Sequence, residues 1–176
     1  MFASPEENIL QLSFRPNMRV ADFGAGSGAY SFAIAKKIGP DNGQVFAIDV
    51  QKDLLERLKS EAVRQGLSNI EIIWANIEER GSTHIADDSV DAVVVSNVLF
   101  QAESKAGLIE EVKRVLKPGG QVLFIDWTDS FSGMGPHPGS VVTEADAKAL
   151  FTKLGFTVRA NFDAGEHHYG LILLKQ

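Results

Sequence analysis

The chain contains no cysteine. Disulfide staples, thiolate metal sites and cysteine nucleophiles are therefore excluded together. It also has no run near the ~20 apolar residues that a membrane-spanning helix needs, because turn residues or charges break its longest apolar stretches. The start, Met1-Phe2-Ala3-Ser4-Pro5-Glu6-Glu7, has neither the basic residues nor the apolar core of a secretory signal. Basic clusters are scarce as well: 17 lysines and arginines stand against 23 acids, for a net charge of −6. A phosphate backbone is usually met by a basic face, so a nucleic-acid partner is disfavoured. No repeat, low-complexity segment or linker interrupts the sequence. The expectation is a cytoplasmic protein without a membrane partner, whose 176 residues, 44% of them hydrophobic, suit one domain with a substantial core.

What the sequence does have is concentrated in Val20-Ala21-Asp22-Phe23-Gly24-Ala25-Gly26-Ser27-Gly28-Ala29-Tyr30. Three glycines at alternate positions follow a short apolar run and precede an amphipathic one, which reads as strand, tight turn and helix. Glycine permits positive φ and lets a ligand approach the main chain, and a helix N-terminus favours a negatively charged group. Around this stretch the pattern alternates. Ser4 and Pro5 open a short helix, with Glu7 closing a capping box. Strands are expected at 19–23, 44–49, 70–74, 90–96 and 121–127, and helices at 29–38, 52–65, 105–116 and about 143–154. Residues 78–89 are polar and irregular, and 128–142 form a loop rich in glycine and proline. Strands at 156–162 and 168–175 leave no room for a helix between them and should pair antiparallel. The fold is thus read as α/β, a Rossmann-like doubly wound sheet of seven strands, mostly parallel with an antiparallel C-terminal strand. The chain divides into a short N-terminal helix (1–16), a cofactor-binding core (17–127), and an acceptor-side loop, helix and closing hairpin (128–176).

Gly24-Ala25-Gly26-Ser27-Gly28-Ala29 satisfies the dinucleotide pattern G-x-G-x-x-G/A, with Asp49 about the right distance on for a ribose. Asp22 argues against that ligand, because a carboxylate beside the glycines repels a pyrophosphate and suits an ammonium group. Read together, Asp22-x-Gly24-x-Gly26-x-Gly28, Asp49 after the second strand, Leu116-Lys117-Pro118-Gly119-Gly120 and the closing hairpin resemble the class I S-adenosylmethionine-dependent methyltransferases. Gly66-Leu67-Ser68-Asn69-Ile70-Glu71, Asp87-Asp88-Ser89-Val90-Asp91 and Ser96-Asn97-Val98-Leu99 are similar to the ubiquinone/menaquinone-biosynthesis-like (type 11) group. The resemblance implies S-adenosyl-L-methionine as cofactor. By it, Asp22 holds the methionine ammonium and the backbone of Gly24, Ala25, Gly26 and Gly28 passes beside the methionine. Asp49 accepts both ribose hydroxyls, and Val50 and Ile77 sandwich the adenine. Asn76 accepts from the adenine amino group where the family often has Asp, Asn97 closes the pocket near the sulfonium, and Tyr30 lies near the methionine end. Other uses of the same residues stay open: Asp22 as a helix cap, Asp49 and Asn76 as turn residues, Tyr30 as a packing aromatic.

Ligands of open α/β sheets sit beyond the carboxyl ends of the parallel strands. Three segments converge there, at 96–103, 128–142 and 163–169, and bring Phe100, Trp127, Met134, His137, His167, His168 and Tyr169 to one rim. His137, His167 and His168 are the candidates for a proton acceptor. His137 with His167 or His168 is alternatively a metal pair, and all three are otherwise solvated loop side chains. Residues 133–139 are read either as a small mobile cover or as a passive connector. Leu99-Phe100-Gln101 stands where the quinone-type enzymes tend to carry an aromatic or histidine pair, which leaves the acceptor open. The functional expectation is methyl transfer to a small molecule by in-line displacement, in a monomer or homodimer. Alternatives are a cofactor-binding protein without transferase activity, an RNA or protein methyltransferase, and a nicotinamide-dependent oxidoreductase.

Overall fold

The computed structural model describes residues 4–131 and 135–176. Met134 lies outside the described residues. One seven-stranded sheet forms the centre: β1 (Arg19–Phe23), β2 (Gln44–Asp49), β3 (Ile70–Trp74), β4 (Val90–Ser96), β5 (Leu116–Trp127), β6 (Phe156–Gly165) and β7 (His168–Lys175). Its order is β3-β2-β1-β4-β5-β7-β6. All pairings are parallel except those of β7, which runs antiparallel to both β5 and β6. α1 (Pro5–Asn8) precedes the strands, and between them lie α2 (Ala29–Ile38), α3 (Lys52–Arg64), α4 (Lys105–Val115) and α5 (Glu144–Lys153).

The helices pack on both faces because the inner strands are apolar on both. Along β1, Val20 faces the α1–α2 side with Ile34 and Ile38, whereas Ala21 and Phe23 face the α4–α5 side with Leu108 and Val112. Leu58 of α3 seats on Ala47 of β2, on the same side as α2. Fully buried strands of this kind are characteristic of parallel sheets covered by helices. On the α5 side the core is aromatic: Phe151 packs edge-on against Phe124 at 5.1 Å and against Phe156 at 5.5 Å, and all three are buried. Truncating Phe151→Ala leaves an unfilled space among these rings. It is expected to cost about 3–5 kcal/mol of stability, measurable as a lowered urea midpoint with an unchanged slope.

The structure departs from the sequence expectation in three places. The first helix stops at Asn8 and continues as a tight turn over Ile9–Gln11; Ser4 still caps it by accepting from the Glu7 amide. β5 starts at Leu116, five residues earlier than expected, because Leu116 pairs with Val90 before a register shift between Val90 and Ala92. Pro118 and Gly119 therefore lie within the strand, at its irregular start. β6 continues to Gly165, so the closing turn is only Glu166 and His167. Two irregularities, between Val158 and Ala160 and between Asp163 and Gly165, absorb the extra residues.

A candidate cofactor cavity at the ends of β1, β2 and β4

Connections leave β1 and β4 in opposite directions, and the crevice outside their carboxyl ends is where an open α/β sheet takes a ligand. A cavity of about 500 Å³ lies there, within the range that holds a small molecule or cofactor. Its floor is the glycine turn. The amides of Gly24 and Ala25 both donate to the Ile48 carbonyl at 2.9 Å, which fastens the turn to β2. Gly24 has φ +78° and its Cα sits against Val98; a Cβ there would come within 2.4 Å of Val98 Cγ2. Only glycine fits both the conformation and the space.

Asp22 ends β1 beneath this turn and is 2% exposed. It accepts from the Ser31 hydroxyl at 2.6 Å and also from the Ser31 amide in the first turn of α2. Burial raises its pKa to about 6, and the nearby Asp49 adds to that rise while no cation offsets it. Asp22 thus lies against the first turn of α2 as a buried carboxylate that lacks a counter-charge. Asp49 ends β2. Its Oδ2 accepts from the Gly26 amide at 2.9 Å and its Oδ1 from the Gln51 amide at 2.8 Å. Each oxygen keeps a further lone pair for a ligand.

Of the residues singled out in the sequence, Asp22, Gly24, Ala25, Gly26, Tyr30, Asp49, Val50, Asn76, Ile77 and Asn97 all line this cavity. Gly28 does not. A Cβ at Gly28 would meet Leu58 and Phe32 at 2.7 Å, so this glycine lets α2 approach α3 instead. Asn76 is partly occupied by its own turn, with Oδ1 accepting from Glu78 and Nδ2 donating to Glu79. Asn97 sits at φ +58°, and its Oδ1 is buried without a hydrogen-bond partner. The cavity also has walls beyond the residues expected to hold the cofactor: Leu54, Ser96, Val98, Gln101 and Ala102. Ser96 and Val98 belong to the Ser96-Asn97-Val98-Leu99 match and Gln101 and Ala102 to the segment 96–103, whereas nothing in the residue type of Leu54 separates it from an ordinary packing position. Asp126 was missed for the opposite reason, since it reads as a strand-end acid. It is fully buried, its pKa is raised to about 6 by burial, and it accepts from the amides of Phe100 and Trp127. That carboxylate fastens the segment after β4 to the end of β5.

The rim expectation needs correction. None of His137, His167 and His168 lines the cavity. His137 is exposed and its Nδ1 accepts from the Gly139 amide. His167 pairs with Asp129 at 2.7 Å and stacks on Phe131. His168 is buried within β7, with Nδ1 against the Glu166 carbonyl and its ring against Trp127; burial lowers its pKa. Tyr169 is not at a rim at all: it is a core residue whose hydroxyl donates to the Val142 carbonyl. Strand pairing explains the last two: His168 and Tyr169 open β7 opposite Trp127 and Asp126 of β5, and both are buried there. Among the described residues, no group of three or more His, Asp or Glu side chains is placed to share a metal ion.

The cavity at the switch point, floored by glycines between two strand-end acids, lies in a class I S-adenosylmethionine-dependent methyltransferase domain. A family model described as "Methyltransferase domain" matches residues 14–167, and the chain belongs to that family. The ubiquinone/menaquinone biosynthesis C-methyltransferase UbiE of Vibrio campbellii is 31% identical over 156 residues, covering 88% of this chain and 56% of the relative. An arsenite methyltransferase of Halobacterium salinarum is 29% identical over 132 residues, covering 75% of this chain and 32% of the relative. The chain thus spans between about a third and about half of the length of these curated relatives. Among solved structures, a SAM dependent methyltransferase from Aquifex aeolicus superposes with a TM-score of 0.88 at 25% identity, over 98% of this chain and 90% of that one. No helix among the described residues is long and apolar enough to cross a membrane.

Proposed function

We propose that this chain transfers a methyl group from S-adenosylmethionine to a small-molecule acceptor. The observation that carries the reading is the pair of buried acids at the ends of β1 and β2, facing one cavity across a turn of bare backbone. In this reading Asp22, which has no cation of its own, takes the methionine ammonium. Asp49 keeps the turn in place and offers its remaining lone pairs to the ribose hydroxyls. Gly24, Ala25 and Gly26 run beside the methionine, and Gly28 supports them from below. Val50 and Ile77 flank the adenine, and Asn76 has one lone pair left for its amino group. Asn97 and the Tyr30 ring close the methionine end. A dinucleotide fits less well, because Asp22 already occupies the α2 N-terminus where a pyrophosphate would bind.

When bound, S-adenosylmethionine supplies an electrophilic methyl group on a sulfonium. The chain's own part is alignment: holding sulfur, methyl and attacking atom close to linear is worth several kcal/mol, on the order of 7–11 in well-oriented systems. No histidine is needed in the cavity for that. The named relatives act on arsenite and in quinone biosynthesis. Trivalent arsenic is thiophilic, and a sequence without cysteine has no thiolate to hold it, which favours a lighter acceptor atom. An acidic chain also suits a small acceptor better than RNA, and a cytoplasmic setting accords with the absence of cysteine.

The test is a thermal shift. S-adenosylhomocysteine at about 100 times its Kd is expected to stabilise the protein by about 2.7 kcal/mol, or roughly 5–10 °C for a chain of this size. Stabilisation by NAD(H) and not by S-adenosylhomocysteine would overturn the reading. Transfer of labelled methyl to members of a small-molecule panel then separates a transferase from a protein that only binds the cofactor.

A further inference from the structure

The hydroxyl of Tyr30 has a partner that fixes what it must do next. Asn8 of α1 is buried, and its Nδ2 donates to the Ala164 carbonyl and to Tyr30 Oη, both at 3.1 Å. A carbonyl only accepts, so Ala164 determines which end of the amide faces this corner. The Tyr30 oxygen is therefore an acceptor towards Asn8, and its own proton points elsewhere. Ser96 lies next to the phenol, yet its buried Oγ makes no well-formed hydrogen bond. Both residues line the cavity. Two buried hydroxyl groups side by side normally find acceptors, and here the cavity is where one would come from.

The sheet order says which part of the contents that is. Asp49 and Asp22 end β2 and β1, whereas Ser96 ends β4, one strand beyond β1. With neighbouring strands ~4.8 Å apart, Ser96 stands about 10 Å across the sheet from Asp49. The bond from Asn8 to Ala164 draws the Tyr30 oxygen further the same way, towards β6. A donor lying across Asp49 and Asp22 leaves this side of the cavity to the acceptor. We propose that the Tyr30 hydroxyl, held by Asn8 and beside Ser96, donates a hydrogen bond to an oxygen of the methyl acceptor, so that the site selects oxygen-bearing, preferably anionic acceptors. The proposal rests on the methyltransferase reading above. Burial keeps the phenol pKa above its ordinary value, so the proton stays in place at neutral pH. Asn8 touches no ligand and is a positioning residue acting through Tyr30.

The test uses the full chain saturated with S-adenosylhomocysteine, tyrosine-labelled at 13Cζ, and two probes: pentafluorophenolate and pentafluoroanisole. The chain has two tyrosines, so the resonances of Tyr30 and Tyr169 are separable. Pentafluorophenolate is expected to move the Tyr30 resonance of the wild type and not that of Tyr169. Pentafluoroanisole, lacking the anionic oxygen, binds about tenfold or more weakly. Tyr30→Phe and Asn8→Ala should each weaken pentafluorophenolate by about ten- to a hundredfold, the range of one hydrogen bond to a charged group, and by clearly more than either weakens S-adenosylhomocysteine, because Tyr30→Phe keeps the ring that closes the methionine end. Three results would overturn the proposal: a Tyr30 resonance that stays still at saturation, no binding of pentafluorophenolate at millimolar concentration, or a comparable loss of S-adenosylhomocysteine affinity in Tyr30→Phe. The wild-type measurement stands even if Asn8→Ala folds poorly. Failure of the wild type to bind S-adenosylhomocysteine sinks the methyltransferase reading instead, whereas binding without a phenolate response sinks only the assignment of Tyr30.

Discussion

Replacing Asp22 by asparagine is expected to weaken S-adenosylhomocysteine binding by roughly a hundredfold or more at pH 7.5 while making the free protein more stable. Both effects follow from one buried carboxylate. Its pKa stands at about 6 because burial penalises the charged form and no cation compensates. A folded-state pKa above the ordinary 3.8 means the folded chain prefers the proton. The contribution of Asp22 to stability is therefore complete below pH 3.8 and lost as pH rises through about 6. Two units at 1.36 kcal/mol each put that loss at about 3 kcal/mol by neutral pH. Asparagine removes the charge and can still accept from Ser31, so the free variant should melt higher at pH 7.5. Its ligand loses a buried ion pair, a change typically worth about 3–5 kcal/mol when one partner is deleted.

The pH dependence of the wild type has the matching sign. Binding an ammonium group requires charged Asp22, so affinity should be flat above about pH 6.5 and fall roughly tenfold per unit below about 6, where a proton must first be lost. Asp22→Asn should show no such slope. Calorimetric titrations of S-adenosylhomocysteine between pH 5 and 8, with melting of both free proteins, check all of this. A variant that loses affinity and stability together would mean Asp22 is a helix cap and nothing more.

This opposition between stability and binding was visible in the sequence only as an acid out of place beside glycines. The residues around it were legible because punctuation and period agree: Gly39 and Gly43 bracket the turn after α2, and β4 is apolar and buried from Ala92 to Val95 because both of its faces are covered. Where punctuation misled, the cause was tertiary pairing. Lys117-Pro118-Gly119-Gly120 has loop chemistry, but Leu116 before it pairs with Val90 and extends the strand. In β7, every residue from His168 to Ile172 is buried. Period 2 then carries no information about which side chain faces a core and which a rim, and only the folded chain puts Tyr169 in the core. The bond from Asn8 to Ala164 spans 156 residues and leaves no trace in local pattern. Nor does the attachment of Phe100 to Asp126, which sets the wall after β4. Glycine spacing located the cavity, but only the folded chain shows what fastens its sides.

Asp49 is the fastening on which both the turn and the ligand depend, and its substitution separates the two roles. Each carboxylate oxygen already serves one backbone amide, Gly26 on one side and Gln51 on the other. A carboxylate has about four lone-pair sites, so two are left for a pair of vicinal hydroxyls. Asp49→Asn places an NH₂ against one of those two amides, donor against donor, and removes one ligand acceptor. Asp49→Ala removes both acceptors and releases the turn. Hydrogen bonds to charged groups contribute about 1.5–3 kcal/mol each. The expected losses of S-adenosylhomocysteine affinity are therefore tens of fold for the asparagine variant and about a thousandfold for the alanine variant. Comparing adenosine with 2′,3′-dideoxyadenosine apportions the loss. Wild type should prefer adenosine by about a hundredfold, and Asp49→Ala should bind the two alike. If both ligands weaken in parallel and the preference persists, Asp49 acts on the cavity only by holding Gly26, and the hydroxyls are recognised by another group.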